Sequence, residues 1–256
     1  MIIYTLLFTL SGKNPCDNKY IQMFQIWLSY IIRYGSLNES DKIYVLIDTA
    51  TAQYIDTNIQ IDILKKTTCP ITFIQIQQPS TISQGMVERY VHFEDKDTFL
   101  YLDLDILVIK SLKEIPVLEP DGILLVPEGV INHGLYAGHI LSEPIEPICG
   151  FTSGIFGFYP GEEIYKFFDS IRTECLDHKE VLYTVDQPFF NKWLYLTITQ
   201  SVLKMNLLLM KEKVGNNSIE NSPGIIFLNY AGEPGDGELH YRKMINKLCF
   251  DFISVR

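Results

Sequence analysis

The stretch of the chain with the most obvious chemical potential is residues 98–110, TFLYLDLDILVIK, where an apolar run leads straight into Asp103 and Asp105. On an extended chain, side chains two residues apart point to the same side. The two carboxylates would then sit about 6.6 Å apart, given the rise per residue of a strand. Their repulsion would be about 2.5 kcal/mol at the effective dielectric of a protein surface. A cation relieves that repulsion, and the carboxyl end of a strand in an open α/β sheet is where ligands collect. Hard oxygen ligands of this kind suit Mg²⁺ or Mn²⁺ bridging to a substrate diphosphate. Such an ion lets an acidic protein bind an anionic nucleotide and stabilises a leaving phosphate. The plain alternative is a pair of solvated aspartates in a turn.

Other residues invite a chemical and a plain reading side by side. Tyr20 is either a stacking surface for a base or a core aromatic of its helix. Arg89 is either a ligand contact or a partner for Glu88. Asp186 is either part of a reaction centre with Gln187 or only a helix N-cap. Trp27 and Trp193 read as core, Trp193 with the alternative of an acceptor platform. His133 and His139 read as surface or acceptor-facing residues of a loop.

These residues must be positioned by the elements around them. Residues 2–10 read as a buried strand and 11–18 as a loop of turn formers. A helix over 17–33 follows, with Asp17 as its N-cap. Strands are expected at 42–47, 71–76 and 98–102, with a helix at 84–92. Residues 52–66 fit a helix or an alternating strand. Pro127 to Phe151 reads as a long irregular connection, a length usually kept for function. A strand at 154–159, helices from 160 and over 186–195, a strand at 224–228 and a last helix at about 238–249 complete the pattern. Residues 194–210 read as core, with self-association into a homo-oligomer as the alternative. The β-α-β alternation and continuous apolar strands point to an α/β fold, with a mostly parallel central sheet and helices on both faces. The chain is expected to be a single domain over 1–256, with a nucleotide-binding half (1–110) and an acceptor-binding half (111–256).

Composition narrows the function. The 256 residues are 47% hydrophobic and 20% charged, which suits a globular protein and not a disordered one. With 21 basic against 31 acidic residues, the net charge of -10 argues against a nucleic-acid binder. No apolar run reaches the ~18 residues of a transmembrane helix. The apolar start lacks a basic region and a cleavage site, so it reads as a strand rather than a signal peptide. Five cysteines without a C-x-x-C read as reduced thiols, which together with the missing signal points to a cytoplasmic location. The sequons at Asn38 and Asn216 then carry no meaning.

Taken in order, the motifs resemble those of GT-A-fold glycosyltransferases, and among these glycosyltransferase family 8, the glycogenin and lipopolysaccharide-galactosyltransferase group. The opening strand, loop and Tyr20 look like that family's first nucleotide-contacting segment. FLYLDLDILV (99–108) resembles its metal motif, FTSGIFGFYP (151–160) its F-N-S-G strand, and VDQPFFN (185–191) its D-Q-x-x-x-N helix. FLNYAGEPG (227–235) is weakly similar to its H-F-x-G-x-x-K loop. Haloacid-dehalogenase-type phosphatases also carry D-x-D after a strand, but near the chain start and with Thr or Val where Leu107 stands here.

The resemblance implies a metal-dependent transferase that moves a sugar from a nucleotide-diphosphate donor, UDP-sugar by preference, to an acceptor hydroxyl, with retention. Leu10, Ser11 and Tyr20 would hold the base and ribose, and Leu104 would present its backbone to the ribose. Asp103, Asp105 and Asn229 would bind Mn²⁺ or Mg²⁺. Arg89, Thr152, Ser153 and Gly154 would contact the donor. Asp186 and Gln187 would lie beside the anomeric carbon, and Gly232 along the diphosphate. The sequence departs from the family at Thr152 (for Asn), Asn229 (for His) and Gly235 (for Lys). His240, Arg242 or Lys243 would supply the missing charge. The departures also suit a catalytically degenerate nucleotide- or glycan-binding protein. The acceptor is not legible.

Overall fold

The computed structural model describes residues 1–58, 68–138, 140–141, 149–178, 182, 184–199, 203–207 and 227–229. The expectations for 59–66, 224–226 and the last helix lie outside these residues. The architecture is α/β, with a mixed, mostly parallel sheet flanked by helices. The chain forms two compact units, each assembled from separated stretches. One comprises Met1–Leu6, Pro79–Leu102 and Val117–Leu209. The other comprises Leu7–Gln78, Asp103–Pro116 and Met210–Arg256.

The first unit is built on β1 (Ile2–Leu7), β4 (Phe99–Leu102), β6 (Gly122–Val130), β7 (Cys149–Phe158) and β8 (Lys204–Leu207). Their order is β1-β4-β7-β6-β8. The β1/β4 and β6/β8 ladders are parallel, and β7 runs antiparallel to both β4 and β6. Period-two alternation puts Tyr4, Phe99, Tyr101, Phe156 and Phe158 on one face, with Tyr4 beside Tyr101 and Phe99 beside Phe158 in register. That face stacks ring on ring, with Phe99–Phe158 and Tyr101–Phe156 centroids both 5.1 Å apart. It is covered by Phe167 and Phe168 of α4 (Glu162–Asp177) and Phe190 of α5 (Gln187–Thr199). α4 starts at Gly161, which has no side chain with which to cap it. Asp121 supplies the cap instead, its Oδ1 accepting from Glu163 N at 2.9 Å and Ile164 N at 3.1 Å. A Cβ at Gly161 would fall 2.0 Å from that same oxygen, so only glycine leaves room for the cap.

The second unit holds α1 (Lys19–Tyr34), β2 (Lys42–Asp48), α2 (Thr49–Asn58), β3 (Ile71–Ile76), β5 (Ile106–Val108) and β9 (Phe227–Asn229). β2 and β3 pair in parallel over six residues, and β5 and β9 pair antiparallel. Apolar residues at helical spacing put Phe24, Trp27, Leu28 and Ile31 on the buried face of α1.

Several boundaries differ from the sequence expectation. The cap of α1 is Asn18, whose side chain accepts from Tyr20 N, because Asp17 closes a 3₁₀ turn at Pro15–Asp17. The helix expected over 84–92 is shorter. It is α3 (Ile82–Met86), capped by Thr81 and tightening into a 3₁₀ turn at Val87–Arg89. Pro127 to Val130 belong to β6 and not to a loop, with Pro127 opposite Phe151 and Gly129 opposite Gly150 across two register breaks. The ring of Tyr136 lies over both glycines, where a Cβ would come within 2.4 Å and 2.7 Å of it.

Tyr4 and Tyr90 lie at the centre of the first unit and are both fully buried. Desolvation pushes both phenols well above their usual value of 10.0, the Asp186 carboxylate adding at Tyr90 and the Arg89 charge opposing at both. A raised folded pKa favours the folded state fully below pH 10 and loses that advantage as pH climbs through the folded value. Above pH 10 the unfolded chain releases these protons first, which costs about 1.4 kcal/mol per pH unit for each phenol. Urea unfolding between pH 8 and 11.5 should therefore show stability falling steeply above pH 10, with a shallower fall in Tyr90→Phe. A flat profile would contradict the burial.

Candidate functional site

In the second unit the β1–α1 loop carries Leu10 and Ser11. Leu10 O accepts from Lys13 N at 3.0 Å, closing a four-residue turn in which Gly12 has φ +77°. No neighbour lies within 4 Å of a Cβ placed there, so glycine is required by the backbone and not by space. The turn leaves Ser11 exposed. Tyr20, on the first turn of α1, is 38% exposed, so its ring is not part of the core. Trp27, by contrast, is fully buried core.

Asp103 and Asp105 lie in the same unit, but not on an extended strand. β4 ends at Leu102, and Ile106 N donates to Asp103 O at 3.0 Å, so the two aspartates share a tight turn before β5. Both are half-buried, and Leu104 between them is buried at 4%. The register of β5 against β9 sets Asn229 opposite Ile106, the residue after Asp105. A residue more than a hundred positions away in sequence is thus brought to the D-x-D turn. Two carboxylates are an oxygen-donor pair of the kind that holds Mg²⁺ or Mn²⁺ when substrate phosphates complete the shell, and on donor chemistry Asp103 and Asp105 fit such an ion. Among the described residues, no group of three or more His, Cys, Asp or Glu side chains forms a metal centre by itself. Gly232, Gly235, His240, Arg242, Lys243 and His139 lie outside the described residues.

The first unit gathers Arg89, Thr152, Ser153, Gly154, Asp186 and Gln187. β4 stops opposite Ile155, and beyond that point side chains of α5 bond the backbone of β7. Gln187 Oε1 accepts from Ser153 N at 3.1 Å. Asn191 Oδ1 accepts from Phe151 N at 2.7 Å, and its Nδ2 donates to Phe151 O at 2.8 Å. Four residues of helix advance about 6 Å and two residues of strand about 6.6 Å, so an i, i+4 pair on one element meets an i, i+2 pair on the other. The Gln187 amide also donates to Leu135 O at 2.9 Å, tying the loop after β6 to α5. Thr152 Oγ1 accepts from Gly154 N at 3.2 Å, and all three residues of that triplet are buried.

The side chain of Asp186 does not cap α5. Its Oδ2 accepts a short hydrogen bond from the Tyr90 hydroxyl and lies 3.7 Å from Arg89 Nε, while Oδ1 is buried without a hydrogen-bond partner. Val185, just before it, holds φ +52°, an uncommon conformation for a β-branched residue and one that constrains the approach to α5. Arg89 is 1% exposed and does not pair with Glu88, which faces Arg172. Its Nη1 donates to Ser153 O at 2.8 Å and its Nε to Met86 O at 3.2 Å, and the guanidinium stands 4.7 Å over the Tyr101 ring. Burial keeps Tyr90 a neutral donor to the carboxylate.

Tyr90 and Asp48 were not among the sequence candidates, and Asn191 stood in the VDQPFFN motif without a role of its own. Asn191 was signalled by its i+4 spacing from Gln187. Asp48 ends an apolar strand, KIYVLID, just as Asp103 does. Tyr90 had no signal. Trp193 is half-buried on α5 and donates to Glu174 Oε2 at 2.8 Å, and His133 accepts from Leu135 N within its loop. Comparison with known proteins found no matching family model and no matching curated protein.

Proposed function

We propose that the protein is a metal-dependent glycosyltransferase that moves a sugar from a nucleotide-diphosphate donor, UDP-sugar by preference, to an acceptor hydroxyl. The observation that carries this reading is the β5–β9 register, which brings Asn229 to the Asp103–Asp105 turn. When bound there, Mn²⁺ or Mg²⁺ supplies Lewis-acid stabilisation of the leaving diphosphate.

The chain's own residues do the rest. Leu10 and Ser11 line the nucleotide, and the exposed ring of Tyr20 stacks on its base. Asp103 and Asp105 hold negative charge where the metal is needed. As the C1–O bond to the diphosphate breaks, positive charge grows on the sugar. By the resemblance Gln187 would answer that charge, and in the first unit its amide oxygen is fixed in direction by Ser153 N. Beside it in the chain, Asp186 turns its carboxylate to Tyr90 and Arg89. The acceptor oxygen forms the new bond to C1 on the leaving-group side, and its proton passes to the departing phosphate, which gives retention.

A second reading, a GT-A-shaped protein that binds a nucleotide or glycan without turnover, is favoured by Asn229 standing where the resembled family has His.

Thermal shift with UDP and a panel of UDP-sugars, with and without Mn²⁺, paired with an assay for released UDP, separates the two. The transferase reading expects stabilisation of about 2.7 kcal/mol at a hundred times Kd, together with UDP release from at least one donor. Stabilisation without turnover on any donor and acceptor supports the binder. No response to any nucleotide sinks both.

A further inference from the structure

We propose that Asp48 is the positioning residue of the nucleotide site, a role that rests on the transferase reading above. Asp48 is fully buried at the end of β2, and both of its oxygens are engaged. Oδ1 accepts from Ala50 N at 2.9 Å and Thr51 N at 3.1 Å, capping α2. Oδ2 accepts from Thr9 N at 2.9 Å and from the Thr51 hydroxyl at 2.5 Å. The Thr51 and Thr9 hydroxyls lie 2.8 Å apart. A hydroxyl has one proton, and Thr51 gives its proton to the carboxylate, so the Thr9 proton makes the bond between the two. Thr9 Oγ1 in turn accepts from Asn18 Nδ2 at 3.0 Å, and the same nitrogen reaches Phe8 O at 2.8 Å. Asn18 Oδ1 accepts from Tyr20 N at 3.0 Å.

A chain of hydrogen bonds therefore runs from one buried carboxylate to the residue before Leu10 and Ser11 and on to the backbone of Tyr20. Capping α2 needs only Oδ1. Oδ2 and the relay beyond it act on the loop and on the start of α1, the two places where the nucleotide residues sit. Gln78 Nε2 approaches Thr9 O at 3.4 Å from the other side, so both polar backbone atoms of Thr9 are engaged. Bonds to a charged acceptor are the strong ones, and such a network holds its members in one arrangement.

Asp48→Asn leaves one acceptor oxygen and turns an NH₂ toward either Thr9 N or the N–H groups of α2. Thr51→Val removes the middle hydroxyl while keeping shape. The test titrates UDP with Mn²⁺ into the full-length wild type and both variants by calorimetry, with far-UV circular dichroism as the fold control and steady-state kinetics on a UDP-sugar. The expected result is a Kd for UDP at least tenfold higher in Asp48→Asn and several-fold higher in Thr51→Val. KM should rise in parallel, with kcat within twofold of wild type. A folded Asp48→Asn with wild-type Kd, or a loss of kcat at unchanged KM, overturns the proposal. Should Asp48→Asn fail to fold, Thr51→Val decides, and a wild-type Kd there overturns it. Wild type that binds no UDP overturns this proposal and the transferase reading together, whereas wild-type binding with unaffected variants overturns this one alone.

Discussion

Asp103→Asn is expected to lower turnover at least about a hundredfold, the scale on which a single transition-state charge stabiliser acts. The substitution keeps shape and leaves the backbone bond from Ile106 N to Asp103 O in place. What it removes is half of the negative charge on the turn. Asp105→Asn should do the same, and the double variant should be little worse than either, since one carboxylate alone is a poor clamp for a divalent ion. Metal-free unfolding of each variant serves as the control that the fold is kept. Initial rates at saturating Mn²⁺, with melting curves for each variant, check both halves. Wild-type turnover in Asp103→Asn would contradict the assignment.

Arg89→Met is expected to destabilise the protein by about 3–5 kcal/mol, the cost of leaving a buried charge without its partner. Arg89 and Asp186 are each 1% exposed, so neither recovers water when the other is lost. The loss also frees Ser153 O, which Arg89 holds at 2.8 Å, and removes the cation over Tyr101. Asp186→Asn, by contrast, leaves Arg89 its bonds to Ser153 O and Met86 O and should cost less. The double variant should be more stable than the sum of the single losses predicts, because the two side chains act as a unit. Urea unfolding of the four proteins measures the coupling. Additive losses would mean that the pair does not interact.

The parts of this molecule legible in its sequence are those set by local pattern. Parallel strands buried on both sides read as unbroken apolar runs, which is why β1, β2 and β4 were placed nearly to the residue, whereas 71–76, a partly exposed edge strand, was legible from its isoleucine, threonine and phenylalanine content. The missed parts depend on partners distant in sequence. Pro127 and Gly129 look like loop residues until β7 supplies a strand opposite them and Tyr136 a ring above them. The extended geometry expected for Asp103 and Asp105 gave way to a turn because Ile106 N finds Asp103 O instead of a neighbouring strand. The candidate site divides in the same way. Its acids, its amides and Arg89 were visible as candidates, whereas Tyr90 was not, because it joins Arg89 and Asp186 in one cluster only once the sheet is assembled.

The central claim is that the Asp103–Asp105 turn, with Asn229 beside it, holds a divalent ion against a diphosphate. The most direct test is a crystal grown with Mn²⁺ and UDP, examined by anomalous scattering at the manganese edge. The account expects a single strong peak in contact with carboxylate oxygens of Asp103 and Asp105 and with the pyrophosphate. A peak elsewhere, or nucleotide bound with these two side chains taking no part, would contradict it.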